Sequence, residues 1–251
     1  MVEWDRTSSD VLLTTTLQVQ AATPKDAYVS ADVWPRGNPR MKSYEFASLL
    51  CSRLCHDLLS PVGALNNGIE LLADEHDPDM RARCLELLAD SARASANKLK
   101  FFRLAFGAAG GFGDEVDTRE ARVAIEGLFG TDGRIQLGWM VEDPIMSKAA
   151  LKVLLNLVLI AGDALVRGGR LDVGAEKHDS GMDIVVRAEG PRIVLDPELK
   201  QVLVGDVPED AIAPRAAAAW LVHCLAADGG GDVQVMDGEP GVLLLGAALP
   251  G

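Results

Sequence analysis

Residues 53 to 61 read RLCHDLLSP. They lie inside a stretch, Ser43 to Leu72, in which Phe46, Leu50, Leu54, Leu58, Val62, Leu65, Ile69 and Leu72 recur at steps of three and four. That spacing predicts one long helix with a continuous apolar stripe. His56 is two residues from both Leu54 and Leu58, about 200° around the helix from each, so it points off the stripe. Its neighbours on that side are Ser52, Ser60, Gly63 and Asn67, a lane of small and polar residues around a protruding imidazole. Such a lane is open to a macromolecular partner and not only to a small molecule. Pro61 has no N–H to offer the carbonyl of Asp57, so the helix is expected to bend just after the histidine.

Working outward, Asp77 and Pro78 form an N-cap and first-turn pair for a second helix. That helix carries Met80, Cys84, Leu87, Leu88, Ser91, Leu99, Phe102 and Phe106 and stops at Gly107. Each helix is about 30 residues, or about 45 Å, long. A lone hairpin of this size leaves half of its apolar surface wet, and pairing two copies into a four-helix bundle covers it, so a homodimer is expected. Residues 1–42, rich in Thr, Ser and Asp with Pro24, Pro35 and Pro39, read as a disordered tail, with Met41 an alternative start. The hairpin spans 43–107, and GAAGGFGDE (107–115) reads as a flexible junction.

From 115 to 251 the pattern turns to mixed helix and strand. Helices are expected over Asp117–Phe129, Pro144–Val166, Pro197–Leu203 and Pro214–Ala227. Strands are expected near Arg134–Val141, Gly169–Ala175, Met182–Ala188, Asp232–Met236 and Val242–Ala248, the last two joined by the turn DGEPG. The whole is an α+β chain, a hairpin followed by a mixed sheet with helices on one face.

Composition narrows the function classes. A net charge of −13 with no basic stripe argues against nucleic acid. Cys51, Cys55, Cys84 and Cys224 show neither a CxxC pair nor zinc-type spacing, and Cys51 and Cys55 are expected to be packed and reduced. No signal peptide is visible, and the longest apolar run, VLLNLVLIAG from Val153, is short for a bilayer. No membrane association and a cytoplasmic location are the expectation. His76, His178 and His223 have no motif around them and read as structural or solvated.

HDLLSP resembles the H-box of sensor histidine kinases, in which a phosphoacceptor histidine is followed by an acidic residue and, four positions on, a proline. KVLLNLVLIAGDALVRGGRLDV (152–173) resembles the N-box of the Bergerat-type ATPase domain that follows the hairpin in those kinases. Asn156 fits its first asparagine, while Ile160 stands in place of the metal-binding one. RAEGPRI (187–193) resembles the next box, with Ala188 where the adenine-reading Asp belongs and Arg192 for the second glycine. PRAAAAWLVHCLAADGGGDVQV (214–235) resembles the last box, its phosphate-facing glycines replaced by alanines. Asn156, Gly190 and Gly230 read as relics of framework. The expected fold is therefore a dimerising hairpin followed by a degenerate Bergerat α/β sandwich, with no cofactor-binding and no metal-ligating residues of its own.

Over roughly residues 43 to 248 the chain is similar to the ChpT-type histidine phosphotransferases of alphaproteobacteria. The resemblance implies a homodimeric phosphorelay intermediate with no ATP-dependent kinase activity. His56 accepts a phosphoryl group from the receiver Asp of a CckA-like hybrid kinase and passes it to CtrA-like and CpdR-like response regulators of the cell cycle. In that scheme Asp57 holds the imidazole in its reactive tautomer or favours its cationic, phosphorylated form, Arg53 meets the transferring phosphoryl oxygens, and Ser52, Ser60, Gly63 and Asn67 face the partner. Mg²⁺ comes with the receiver's acidic pocket. Two readings stay open beside it: a divergent ATP-using kinase, and a scaffold that binds receivers without accepting phosphate.

Overall fold

A computed structural model of the chain describes residues 41–107, 115–130, 133–208, 211–237 and 239–251. The expected tail, except for its last two residues, and the expected junction, except for its two ends, lie outside them. Those two tail residues belong to the fold: Met41 packs against the core, and the Lys42 backbone N–H donates to Glu45 Oε2 at 2.9 Å.

Helix α1 runs Ser43–Asp74 and helix α2 runs Pro78–Ala105, joined by a three-residue turn. Asp77 caps α2 as its position implies, its carboxylate accepting from the N–H groups of Asp79 (2.8 Å) and Met80 (3.1 Å). Close approach of the two helices depends on Gly68, where a Cβ would meet Leu88 Cδ2 at 2.9 Å. The expected stripe is only half covered: Val62 and Ile69 are exposed, and so are Met80, Leu87 and Leu99 on α2. The side of α1 that packs inward carries Arg53, Asp57, Pro61 and Gly68 instead, one flank of the stripe.

After β1 (Glu115–Asp117) come α3 (Thr118–Phe129), β2 (Ile135–Val141) and β3 (Ile145–Ser147). Then follow α4 (Lys148–Ala164), β4 (Gly169–His178), β5 (Gly181–Glu189) and α5 (Pro197–Leu203). A 3₁₀ turn (Pro214–Ala216) leads into α6 (Ala217–Asp228), and the hairpin of β6 (Asp232–Met236) and β7 (Val242–Pro250) ends the chain. The main sheet has the order β2-β4-β5-β7-β6, parallel only between β2 and β4. Its Leu171, Val173, Ile184, Val186, Leu243 and Leu245 are fully buried toward the helices, while Asp172 on the other face is held by Arg170 at 2.8 Å.

Several boundaries differ from expectation. Strand β4, expected near Gly169–Ala175, runs on to His178 because its pairing with β5 continues that far. The helix expected from Pro144 starts at Lys148, because Ser147 caps it by accepting from Ala150 N–H at 3.2 Å and because Ile145–Ser147 pairs antiparallel with β1. The helix expected from Pro214 opens with one 3₁₀ turn.

The hairpin and the α+β unit share one core. Phe101, Phe102, Leu104 and Ala105 at the end of α2 are buried with α4 and the sheet. Asn156, the asparagine singled out in the sequence, donates its Nδ2 to the carbonyls of Ala105 (3.1 Å) and Lys152 (2.8 Å). It therefore fastens the last turn of the hairpin to α4, where the helix end has carbonyls to satisfy.

Candidate functional site

His56 stands on the free side of α1 with 85% of its side chain exposed. Its Nδ1 lies 3.1 Å from Asp57 Oδ1. A carboxylate only accepts, so in the neutral ring this contact places the proton on Nδ1 and leaves the Nε2 lone pair toward solvent. Ser52, Ser60 and Asn67 are exposed around it, and at Gly63 nothing lies within 4 Å of where a Cβ would sit, so the expected lane is present and open.

Beneath the histidine, Asp57 and Arg53 turn inward, each about 15% exposed. Asp57 Oδ2 accepts from Arg53 Nε at 2.7 Å. The other two guanidinium nitrogens leave the helix: Nη2 donates to Asp163 Oδ2 on α4 at 2.8 Å, and Nη1 donates to the Arg215 carbonyl in the 3₁₀ turn at 3.1 Å. Arg53 was expected to meet phosphoryl oxygens; its three nitrogens are engaged with protein groups, because its side chain descends into the gap between α1 and α4. The Asp57 carbonyl, deprived of a helical donor by Pro61, accepts instead from Lys98 Nζ on α2 at 2.8 Å. The proline and the lysine are two halves of one device.

Arg53, Asp57, Lys98 and Asp163, with Arg134 and an apolar wall that includes Phe102 and Phe129, line a cleft of about 380 Å³ between the hairpin and the α+β unit. Desolvation there raises the pKa of Asp163, and the Arg53 charge and hydrogen bond only partly offset it. Half of the Asp163 side chain still meets the water of the cleft. Desolvation also opposes the Arg53 charge, but Asp57 and Asp163 together outweigh it and its pKa is raised, so the guanidinium stays charged.

The chain has relatives among known proteins. A family model described as the histidine phosphotransferase C-terminal domain matches residues 118–241. Protein phosphotransferase ChpT of Brucella abortus (strain 2308) is 34% identical over 195 residues, covering 78% of this chain and 91% of that protein. The chain belongs to the ChpT family of histidine phosphotransferases. A solved structure described as a bacterial phosphotransferase at 1.7 Å superposes on it with a TM-score of 0.73 at 30% identity, covering 83% of this chain and 98% of the other.

In this phosphotransferase the positions that depart from the kinase boxes are packed shut: Ile160 is 3% exposed, Ala188 is fully buried, and Ala216 to Ala219 are at most 1% exposed. Arg192 is exposed. Two of the remaining histidines have local side-chain partners. His178 bonds Ser180 at 2.9 Å, His223 stacks on Trp220 at 5.4 Å, and His76 is solvated in the interhelix turn. Cys51 and Cys55 are exposed, not packed as expected, because they lie on the flank of α1 that meets neither α2 nor the α+β unit. Among the described residues no group of three or more His, Cys, Asp or Glu side chains is arranged to hold a metal, and no helix is long and apolar enough to cross a membrane.

Asp163 went unnoticed in the sequence, although a signal was there. It is the lone charge between Lys152 and Arg167 in an otherwise apolar helix.

Proposed function

We propose that His56 is the phosphoacceptor of this phosphotransferase, taking a phosphoryl group from a receiver aspartyl phosphate and passing it to the receiver aspartate of a response regulator. The supporting observation is the exposed imidazole whose Nδ1 is held by Asp57, which leaves Nε2 as an outward nucleophile. In transfer, the Nε2 lone pair forms the N–P bond in line as the P–O bond to the receiver carboxylate breaks, and that bond's electron pair leaves on the carboxylate. No proton has to depart from Nε2, since the ring proton is already on Nδ1. The imidazolium that results is stabilised by the Asp57 carboxylate beside it. There is little bond-making for the protein to assist, so the rate rests on positioning and charge. Mg²⁺ belongs to the receiver's own acidic pocket. The open lane of Ser52, Ser60, Gly63 and Asn67 supports a docked receiver of a hybrid kinase or a response regulator.

The test is to mix the protein with a ³²P-labelled receiver and follow acid-labile, base-stable label. His56→Gln should abolish transfer without changing the circular dichroism, since the side chain is solvent-facing. Full labelling of that variant moves the site to another histidine and ends the proposal.

The same reading holds that the chain does not use ATP. Apolar side chains buried at Ile160, Ala188 and Ala216–Ala219 support this. Each lost hydrogen-bond partner for a nucleotide costs about 1 to 3 kcal/mol, against roughly −8 kcal/mol for a micromolar ligand. Calorimetry with Mg²⁺ and ATP should show no micromolar binding. Such binding, or labelling of His56 from ATP, would favour a divergent kinase instead.

A further inference from the structure

The geometry points to Asp163 as a positioning residue for phosphoryl transfer, acting through Arg53 and Asp57 to set which nitrogen of His56 is nucleophilic. The inference rests on the phosphoacceptor reading and adds to it a task for the α+β unit.

The contacts form one chain across two parts of the fold. Asp57 divides its oxygens, Oδ1 to His56 and Oδ2 to Arg53. An Arg–Asp pair one turn apart on a helix surface is weak by itself, because a long side chain loses rotamer freedom to make it. Here the guanidinium is pinned from outside the helix, by the Asp163 carboxylate and by the Arg215 carbonyl. Lys98 fixes the Asp57 backbone from the other side. With its side chain and its carbonyl both held, Asp57 keeps Oδ1 where His56 Nδ1–H reaches it.

What this arrangement controls is the tautomer. A neutral imidazole in water carries its proton mostly on Nε2, the nitrogen that has to attack. Moving it to Nδ1 requires an acceptor kept in place beside Nδ1, and an unanchored carboxylate on an exposed helix samples several rotamers. Asp163 supplies the anchor from 110 residues away. It faces Arg53 and Asp57 from α1 and Lys98 from α2, with Arg134 at the border of the same cleft.

The measurement is a long-range ¹H–¹⁵N spectrum of the full chain, the His56 ring assigned by its disappearance in His56→Gln, beside the rate of ³²P transfer from a receiver. The wild type should show the Nδ1–H form. Asp163→Ala should shift His56 toward Nε2–H and slow transfer by roughly ten- to a hundredfold, the scale of a small misplacement of a reacting group. Asp163→Glu should restore both. Arg53→Lys, which keeps the charge and loses the fork, should move the ring in the same direction as Asp163→Ala. An unchanged ring in Asp163→Ala and Arg53→Lys, with transfer within twofold of wild type, makes Asp163 a brace between domains and overturns the inference. A His56 ring that responds to Asp163 in a wild-type protein that takes no label sinks the phosphoacceptor reading while leaving the linkage itself intact.

Discussion

Asp163 shows, at the level of a single side chain, how one charge serves two ends. Its carboxyl pKa is raised, chiefly by desolvation, with Arg53 pulling the other way. A carboxyl whose folded pKa is raised binds a proton more readily folded than unfolded. Its contribution to stability therefore falls as pH rises from the ordinary carboxylate value through the raised one. Asp163→Asn keeps an acceptor for Arg53 and loses this dependence. The difference in Tm, variant minus wild type, should become more positive as pH rises above the ordinary carboxylate value of about 4. A difference that stays flat or falls over that rise would mean that the Arg53 pair outweighs desolvation. The groups facing Asp163 are Arg53, Asp57 and Lys98, of which Asp57 is the other carboxylate. The sequence made His56 and Asp57 legible because helical period and a local motif both bear on them. It left the partner of Arg53 unreadable, since the bond to Asp163 exists only once α4 lies beside α1.

Among the elements, α1 carries the clearest case of a defect that is answered elsewhere. Pro61 leaves the Asp57 carbonyl without its helical donor, and Lys98 Nζ supplies one at 2.8 Å. A hydrogen bond from a charged donor to a partly buried carbonyl contributes about 1 to 2 kcal/mol. Lys98→Met should lower stability by about that amount in urea melts. In a Pro61→Ala background, where a backbone N–H can reach the carbonyl, the same change should cost distinctly less, and the double-mutant cycle measures the difference. Equal costs in both backgrounds would show that Lys98 serves some other group. The missing donor was readable from Pro61, but its replacement on α2 was not, because local sequence carries no record of what packs across. The same limit explains β1 and β3. Each has three residues, too few for a period, and the pairing of Glu115–Asp117 with Ile145–Ser147 is visible only in space. Other short elements, α5 and β6, matched expectation end to end because Asp196–Pro197 caps the one and a turn closes the other.

For the molecule as a whole, the unresolved quantity is the apolar surface of the hairpin. Leu59, Val62 and Ile69 on α1 and Met80 and Leu87 on α2 are exposed, Leu59 at 69%. Covering a side chain of this kind contributes about 1.5 to 3 kcal/mol, so a second copy that buries these on both hairpins has ample driving force. We expect light scattering at micromolar concentration to give about twice the chain mass of 26.7 kDa. Ile69→Glu combined with Leu87→Glu should give a monomer, since like charges would face each other across the seam. Both positions lie beyond the lane around His56, and every contact in the His56–Asp57–Arg53–Asp163 chain is made within one copy. The monomeric variant should therefore still take label on His56 at a rate close to wild type. Loss of labelling together with loss of the dimer would mean that the partner copy helps to build the site, and a wild-type monomer would mean that something other than a second hairpin covers this face.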